Sequence, residues 1–172
     1  MDILLLRLIH IVSGAFWFGA VFSNFLFVQP AIRDAGPEGQ KVMLQLLRNR
    51  RFADAVLGAA VLTALAGGTL FWIDSNGLQL RWVFGAGLGF TIGGLSGLLA
   101  LLMFVFVGYP TTRRAVALGS RLAEEQRPPT PDEQAVLVRA QRTLKNVGIA
   151  VMVLVGLAAV AMATARYWFV LL

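Results

Sequence analysis

The chain is 172 residues long, 58% hydrophobic and only 14% charged, with a formal net charge of +6. A soluble domain carries about 25% charged residues, so the composition excludes an ordinary soluble fold, and recurring apolar runs of about 20 residues match the thickness of a bilayer core. The lack of cysteine excludes disulfides, thiolate metal sites and a cysteine nucleophile, and the surplus of Lys and Arg reads as membrane-protein loop charge with no nucleic-acid partner.

In chain order, the first predicted span covers residues 3–28 and stops at Gln29-Pro30, because proline cannot continue a helical ladder. The start "MDILLL" has no basic region and no small-residue cleavage pattern, so the segment reads as a retained span and not a signal peptide. Residues 33–51 form a basic loop in which Val42, Met43, Leu46 and Leu47 recur at helical spacing, predicting an interfacial helix. The second span covers residues 52–73, with Asp54 placed to pair with Arg50 or Arg51 at its start.

The third span covers residues 82–109 and stops at Pro110. It is crowded with glycine, and Gly89, Gly93 and Gly97 share one face that lets another helix approach closely. The loop 110–146 breaks at "RPPTP"; Thr130, Pro131, Asp132 and Glu133 then have the form of a helix N-cap, a first-turn proline and an acidic first turn. That helix is expected to run into the fourth span, residues 147–171. Trp72, Trp82, Tyr167 and Trp168 lie near span ends, where an aromatic belt is expected.

The two long loops hold twelve of the fifteen basic residues. The positive-inside rule therefore places both loops in the cytoplasm, in contact with anionic headgroups, and both termini outside the plasma (inner) membrane. The expected fold is all-α: one polytopic domain, a four-transmembrane-helix antiparallel bundle. No internal repeat is evident in the residues themselves.

Ionisable groups inside spans are costly unless they pair, snorkel or function. His10, the single histidine, lies in the first span with Arg7 one turn before it and Gly14 and Trp17 continuing its face. Met162 and Arg166 share a face of the last span, at matching depths from the same side of the membrane. His10 is the candidate metal ligand, since neutral imidazole binds iron well and His/Met is a recognised haem arrangement. Met162 is the candidate second ligand, and Arg7, Arg81 or Arg166 could bind propionates by charge-assisted hydrogen bonds. The alternatives are an interhelical hydrogen bond for His10 and headgroup contacts for Arg7 and Arg166.

The stretch "HIVSGAFWFGA" (10–20) and the ending "RTLKNVGIAVMVLVGLAAVAMATARYW" resemble the first and last helices of the CopD-like membrane proteins, a group that includes the HemJ-type protoporphyrinogen oxidases. The resemblance implies a four-helix membrane domain and a first-helix histidine, here His10, tied to haem b. Such relatives usually carry further histidines in other helices. With His10 alone, ligation falls to Met162, a five-coordinate site, or a haem shared by two subunits.

Two functions follow from these readings. The first is a CopD-like non-catalytic accessory subunit, packed by its small-residue faces against other subunits of a respiratory or photosynthetic complex or against its own copies. The second is a small haem-b protein or oxidoreductase centred on His10 near the outer leaflet. A transporter is the weaker third, because the spans carry few polar residues.

Overall fold

The computed structural model describes residues 2–48 and 51–170. It is all-helical, with no strand among the described residues. The helices are α1 (Ile3–Asp34), α2 (Gly36–Arg48), α3 (Arg51–Asp74), α4 (Leu80–Val83), α5 (Leu88–Glu124) and α6 (Pro131–Thr164), the last continuing as 3₁₀ turns over Ala165–Val170. Four of them, α1, α3, α5 and α6, are long and apolar enough to cross a membrane.

Local chemistry sets the ends. The Asp2 carboxylate accepts the Leu4 N–H at 3.0 Å and caps α1. At the start of α6, Thr130 and Glu133 form the reciprocal capping box, with Pro131 in the first turn where its missing N–H is harmless. From there α6 runs unbroken into its apolar half, as the loop signals predict.

Neither Pro30 nor Pro110 ends its helix. Each follows a five-residue π-turn, Asn24–Val28 in α1 and Phe104–Gly108 in α5. A proline offers no N–H and its ring crowds the carbonyl four residues back. The π-turn shifts the ladder by one residue, so that the Gln29 N–H donates to Asn24 O and the Tyr109 N–H to Phe104 O. The helices then continue to Asp34 and Glu124, beyond the predicted stops. The third span also starts later than expected. Trp82 belongs to the short α4, and a turn through Gly85 and Gly87 intervenes before Leu88. A Cβ at Gly87 would run into the Trp82 ring, so glycine lets that indole fold back over the chain.

The long helices pack as two close pairs. In the α1/α3 pair, His10 lies over Gly67, Gly14 faces Thr63, and Leu6 packs with Ala66 and Leu70. In the α5/α6 pair, a Cβ at Gly89 would lie 2.7 Å from Ala165 Cα, and one at Gly93 would lie 2.9 Å from Met162 Cγ. The predicted glycine face of the third span is therefore the α5/α6 contact, where missing side chains permit backbone approach. The two pairs join in one half of the molecule through Trp17, Val21, Ala59, Ala60, Ala100, Leu101, Val151 and Val155. There Phe25 sits on Gly148 and Phe22 on Gly156.

The structure exposes a repeat that the residues conceal. The two π-turns and the two prolines are each 80 positions apart. At the same offset His10 matches Phe90, Gly14 matches Gly94, and Ala20 matches Ala100. Few identities accompany the match, because membrane packing asks only for small or apolar side chains at these places.

Candidate functional site

Away from the joined half, the helix pairs border a partly open cavity of about 920 Å³. All four long helices line it: α1 from His10 to Phe18, α3 from Thr63 to Phe71, α5 from Phe90 to Leu98, and α6 from Val155 to Ala163. The repeat extends to this wall, since residues 10, 11, 14, 15, 17 and 18 of α1 and their counterparts 80 positions later all line the cavity. The volume lies near the top of the range for small-molecule and cofactor sites, about 300–1,000 Å³.

His10 is held firmly. Its Nδ1–H donates to the Thr63 carbonyl oxygen at 2.9 Å. A carbonyl only accepts, so the proton of a neutral ring sits on Nδ1 and the lone pair on Nε2. That is the arrangement in which metal-binding histidines are oriented, the second ring nitrogen tied to a backbone carbonyl. Gly67 makes room for the ring, because a Cβ there would lie 2.6 Å from His10 Cε1 and 2.7 Å from Nδ1.

Two hydroxyls reinforce the same junction. Ser13 Oγ lies 2.5 Å from Ile9 O, Thr63 Oγ1 lies 2.7 Å from Ala59 O, and the hydroxyls are 2.8 Å apart. Two protons serve these three contacts. One hydroxyl therefore donates across the helix pair and the other to a carbonyl of its own helix. Thr63 was not singled out by sequence reading. Its signal was a hydroxyl in an otherwise apolar stretch of α3 ahead of Gly67-Gly68.

Met162 comes to the same cavity from the other helix pair, its side chain against Gly93. His10 and Met162 are thus brought together on one cavity wall system. Arg7, Arg81 and Arg166 are not: each is exposed and outside the lining. Arg81 is the nearest in sequence, two residues before the lining residue Val83. Trp82 also departs from its expected belt position. It packs edge-on against Phe71, ring centroids 5.4 Å apart, and parallel to Phe90 at 6.2 Å, forming an aromatic lid at one end. Trp72 and Tyr167 are exposed as expected of belt residues, and the Trp168 indole donates to Thr164 Oγ1 at 2.8 Å. Asp54 and its expected partner Arg51 are both exposed, and the other expected partner, Arg50, lies outside the described residues.

The cavity wall is almost wholly apolar. Water is a poor filler, since each buried molecule wants about three hydrogen bonds. The Thr63 and Thr91 hydroxyls already meet backbone carbonyls. Among lining side chains this leaves chiefly His10 Nε2 and the Trp17 indole N–H as polar atoms to offer. The ligand that suits such a wall is bulky, apolar and able to use one imidazole nitrogen.

The lining combines one imidazole, one thioether and thin glycine walls at Gly67, Gly68, Gly93, Gly94 and Gly97, and it holds no guanidinium or ammonium group to meet a propionate. Among the described residues no group of three or more His, Cys, Asp or Glu side chains could hold a bare metal ion.

On the loop side, Arg127 donates to both Glu125 and Glu133, and Arg121 donates to Glu125. The Arg127 guanidinium and the Thr130 backbone N–H hold the Glu133 carboxyl down at about 2. Compared with known proteins, the chain matches no family model, no curated protein and no solved structure.

Proposed function

We propose that this chain is an integral, CopD-like membrane protein that binds haem b through His10. In this reading the four long helices form an antiparallel bundle in the plasma membrane, with both termini outside and the cavity in the outer leaflet. One observation carries the proposal. His10 lines a large apolar cavity while its Nδ1–H is fixed on the Thr63 carbonyl at 2.9 Å, which leaves the lone pair of a neutral ring on Nε2.

The chain's residues then have separable tasks. Gly67 admits the imidazole, the Thr63 carbonyl sets its tautomer and direction, and Met162 offers a thioether from the other pair. The Phe71–Trp82–Phe90 cluster packs at one end of the apolar wall, and Arg81, next to Trp82 in sequence, is the guanidinium that would meet an acid group at the rim. Haem, when bound, supplies a redox-active iron whose potential depends on axial ligands and burial. The test is the visible spectrum of protein purified in mild detergent and titrated with haem. A Soret band that saturates at one haem per chain and is lost in His10→Ala supports the reading; no band at any haem concentration defeats it.

The accessory-subunit reading draws on a different observation. Gly19 and Gly58 have open space where a Cβ would be, so α1 and α3 each offer a thin surface to a further helix. Native gels of gently solubilised membranes test it, and migration only as a monomer or homodimer counts against it.

A further inference from the structure

The cavity runs between two packed ends and is open at its sides, and beside the α4 end it is also open at Phe84, which lines it while 68% exposed. One end is the joined core around Trp17, Ala60, Ala100 and Val155. The other is the Phe71–Trp82–Phe90 lid. Between them the helix pairs diverge. The face of α1 that carries Phe25 and Phe22 onto α6 continues at three- and four-residue steps to Phe18, Ala15 and Ile11. Ile11 lines the cavity yet is 64% exposed, so α6 no longer covers it. Ala15, Ala159 and Ala163 are also exposed lining residues, framing a window between α1 and α6.

The repeat places a second window between α3 and α5. Ala15 corresponds to Leu95 and Phe18 to Leu98 at the 80-residue offset, and these leucines line the cavity while 63% and 46% exposed. Gly68 and Gly94, on the same two helices, have nothing within 4 Å of a built Cβ. Both windows open at the level of the apolar helix stretches, where the surroundings of a spanning bundle are hydrocarbon.

We infer that the acyl chain of a bilayer lipid enters the cavity through these windows and is the resident that any other ligand displaces. An alkyl chain suits the wall on three counts. It asks for no hydrogen bonds, it conforms to an irregular apolar space, and it is the molecule the windows face. Water would need polar partners that the wall does not offer. The inference rests on the membrane-spanning reading and is independent of haem.

Trp17 is the probe, because it lines the cavity yet is only 6% exposed. A single-tryptophan protein (Trp72→Phe, Trp82→Phe, Trp168→Phe) is reconstituted without haem into vesicles of phosphatidylcholine brominated on the acyl chains. Bromine quenches indole only at short range. The expected result is at least a twofold loss of Trp17 emission relative to unbrominated vesicles. Filling one window with Gly68→Leu and Gly94→Leu, or the other with Ala159→Leu and Ala163→Leu, should restore at least half of the lost emission. Whichever variant keeps the parent's helical circular dichroism decides. Trp17 emission untouched by brominated chains overturns the inference. So does quenching that both window-filled proteins retain in full, since bromine would then be acting from outside the bundle. A haem titration of the same protein reports separately on His10.

Discussion

Gly67→Ala isolates the seat of His10. The added Cβ would lie 2.6 Å from His10 Cε1, and ordinary carbon contacts begin near 3.5 Å, so the ring must retreat by about 1 Å. The Nδ1 contact to Thr63 O is 2.9 Å, and a displacement of that size takes it past the distance at which a hydrogen bond survives. Losing such an orienting partner typically weakens metal binding by about 10–100-fold. The assay is haem titration of detergent-purified protein, followed in the Soret region, with Gly58→Ala as control because its Cβ meets nothing within 4 Å. The expected outcome is an affinity lower by about 10–100-fold for Gly67→Ala and unchanged for Gly58→Ala. Equal haem affinity in wild type and Gly67→Ala would refute the reasoning, since the imidazole would then not need its carbonyl.

Other substitutions separate orientation from packing. Thr63→Val removes the hydroxyl bridging to Ser13 but keeps the backbone carbonyl, so haem binding should persist while thermal stability in detergent falls by about 0.6 kcal/mol, and at most about 1.7. Gly93→Ala presses a Cβ to 2.9 Å from Met162 Cγ and 3.2 Å from Ala158 O; it should cost about 1–3 kcal/mol by overpacking. Gly94→Ala, with open space around it, should be neutral or slightly stabilising because alanine favours helix. Equal melting shifts for the two would contradict the assigned α5/α6 contact. Glu133 has its carboxyl lowered from 4.5 to about 2, mainly by Arg127 and then by the Thr130 N–H. Its stabilising contribution is therefore complete above about pH 4.5 and is lost as the pH falls toward about 2. Hydrogen exchange over Asp132–Val136, corrected for intrinsic rates, should lose protection in that window, and Glu133→Gln should flatten the dependence.

Much of this architecture was legible in the residues. Span number follows from apolar run length, the α6 start from Thr130-Pro131-Asp132-Glu133, and a close helix contact from Gly89, Gly93 and Gly97, though not that α6 is the helix that makes it. These signals are local and act through backbone chemistry alone. The prolines misled because a proline's effect depends on whether a π-turn precedes it, and no residue in Asn24–Val28 or Phe104–Gly108 announces one. The repeat escaped because few of its matching positions share an identity, and pairs such as Ala15 with Leu95 differ even in size. For the site, depth counted along two helices brought His10 and Met162 to one level. It could not place Arg7, Arg81 and Arg166, whose side chains leave the apolar wall for their exposed surroundings. Thr63 and Gly67 went unread as site residues because their role comes from α3 lying against α1, a tertiary fact. Trp82 went unread as a lid for a similar reason: the fold-back through Gly87 turns a span-end aromatic inward.

The central claim is that His10 presents Nε2 to haem iron in the cavity, and imidazole rescue of His10→Gly tests it most directly. The substitution removes the side chain and leaves a space of its own shape beside Gly67. The account predicts that His10→Gly loses the Soret band of the haem-titrated wild type, and that millimolar imidazole restores it. Restoration should fail when Gly67 is also changed to leucine, which fills the imidazole's place. A wild-type band in His10→Gly without imidazole, or no band in the wild type itself, would contradict the account.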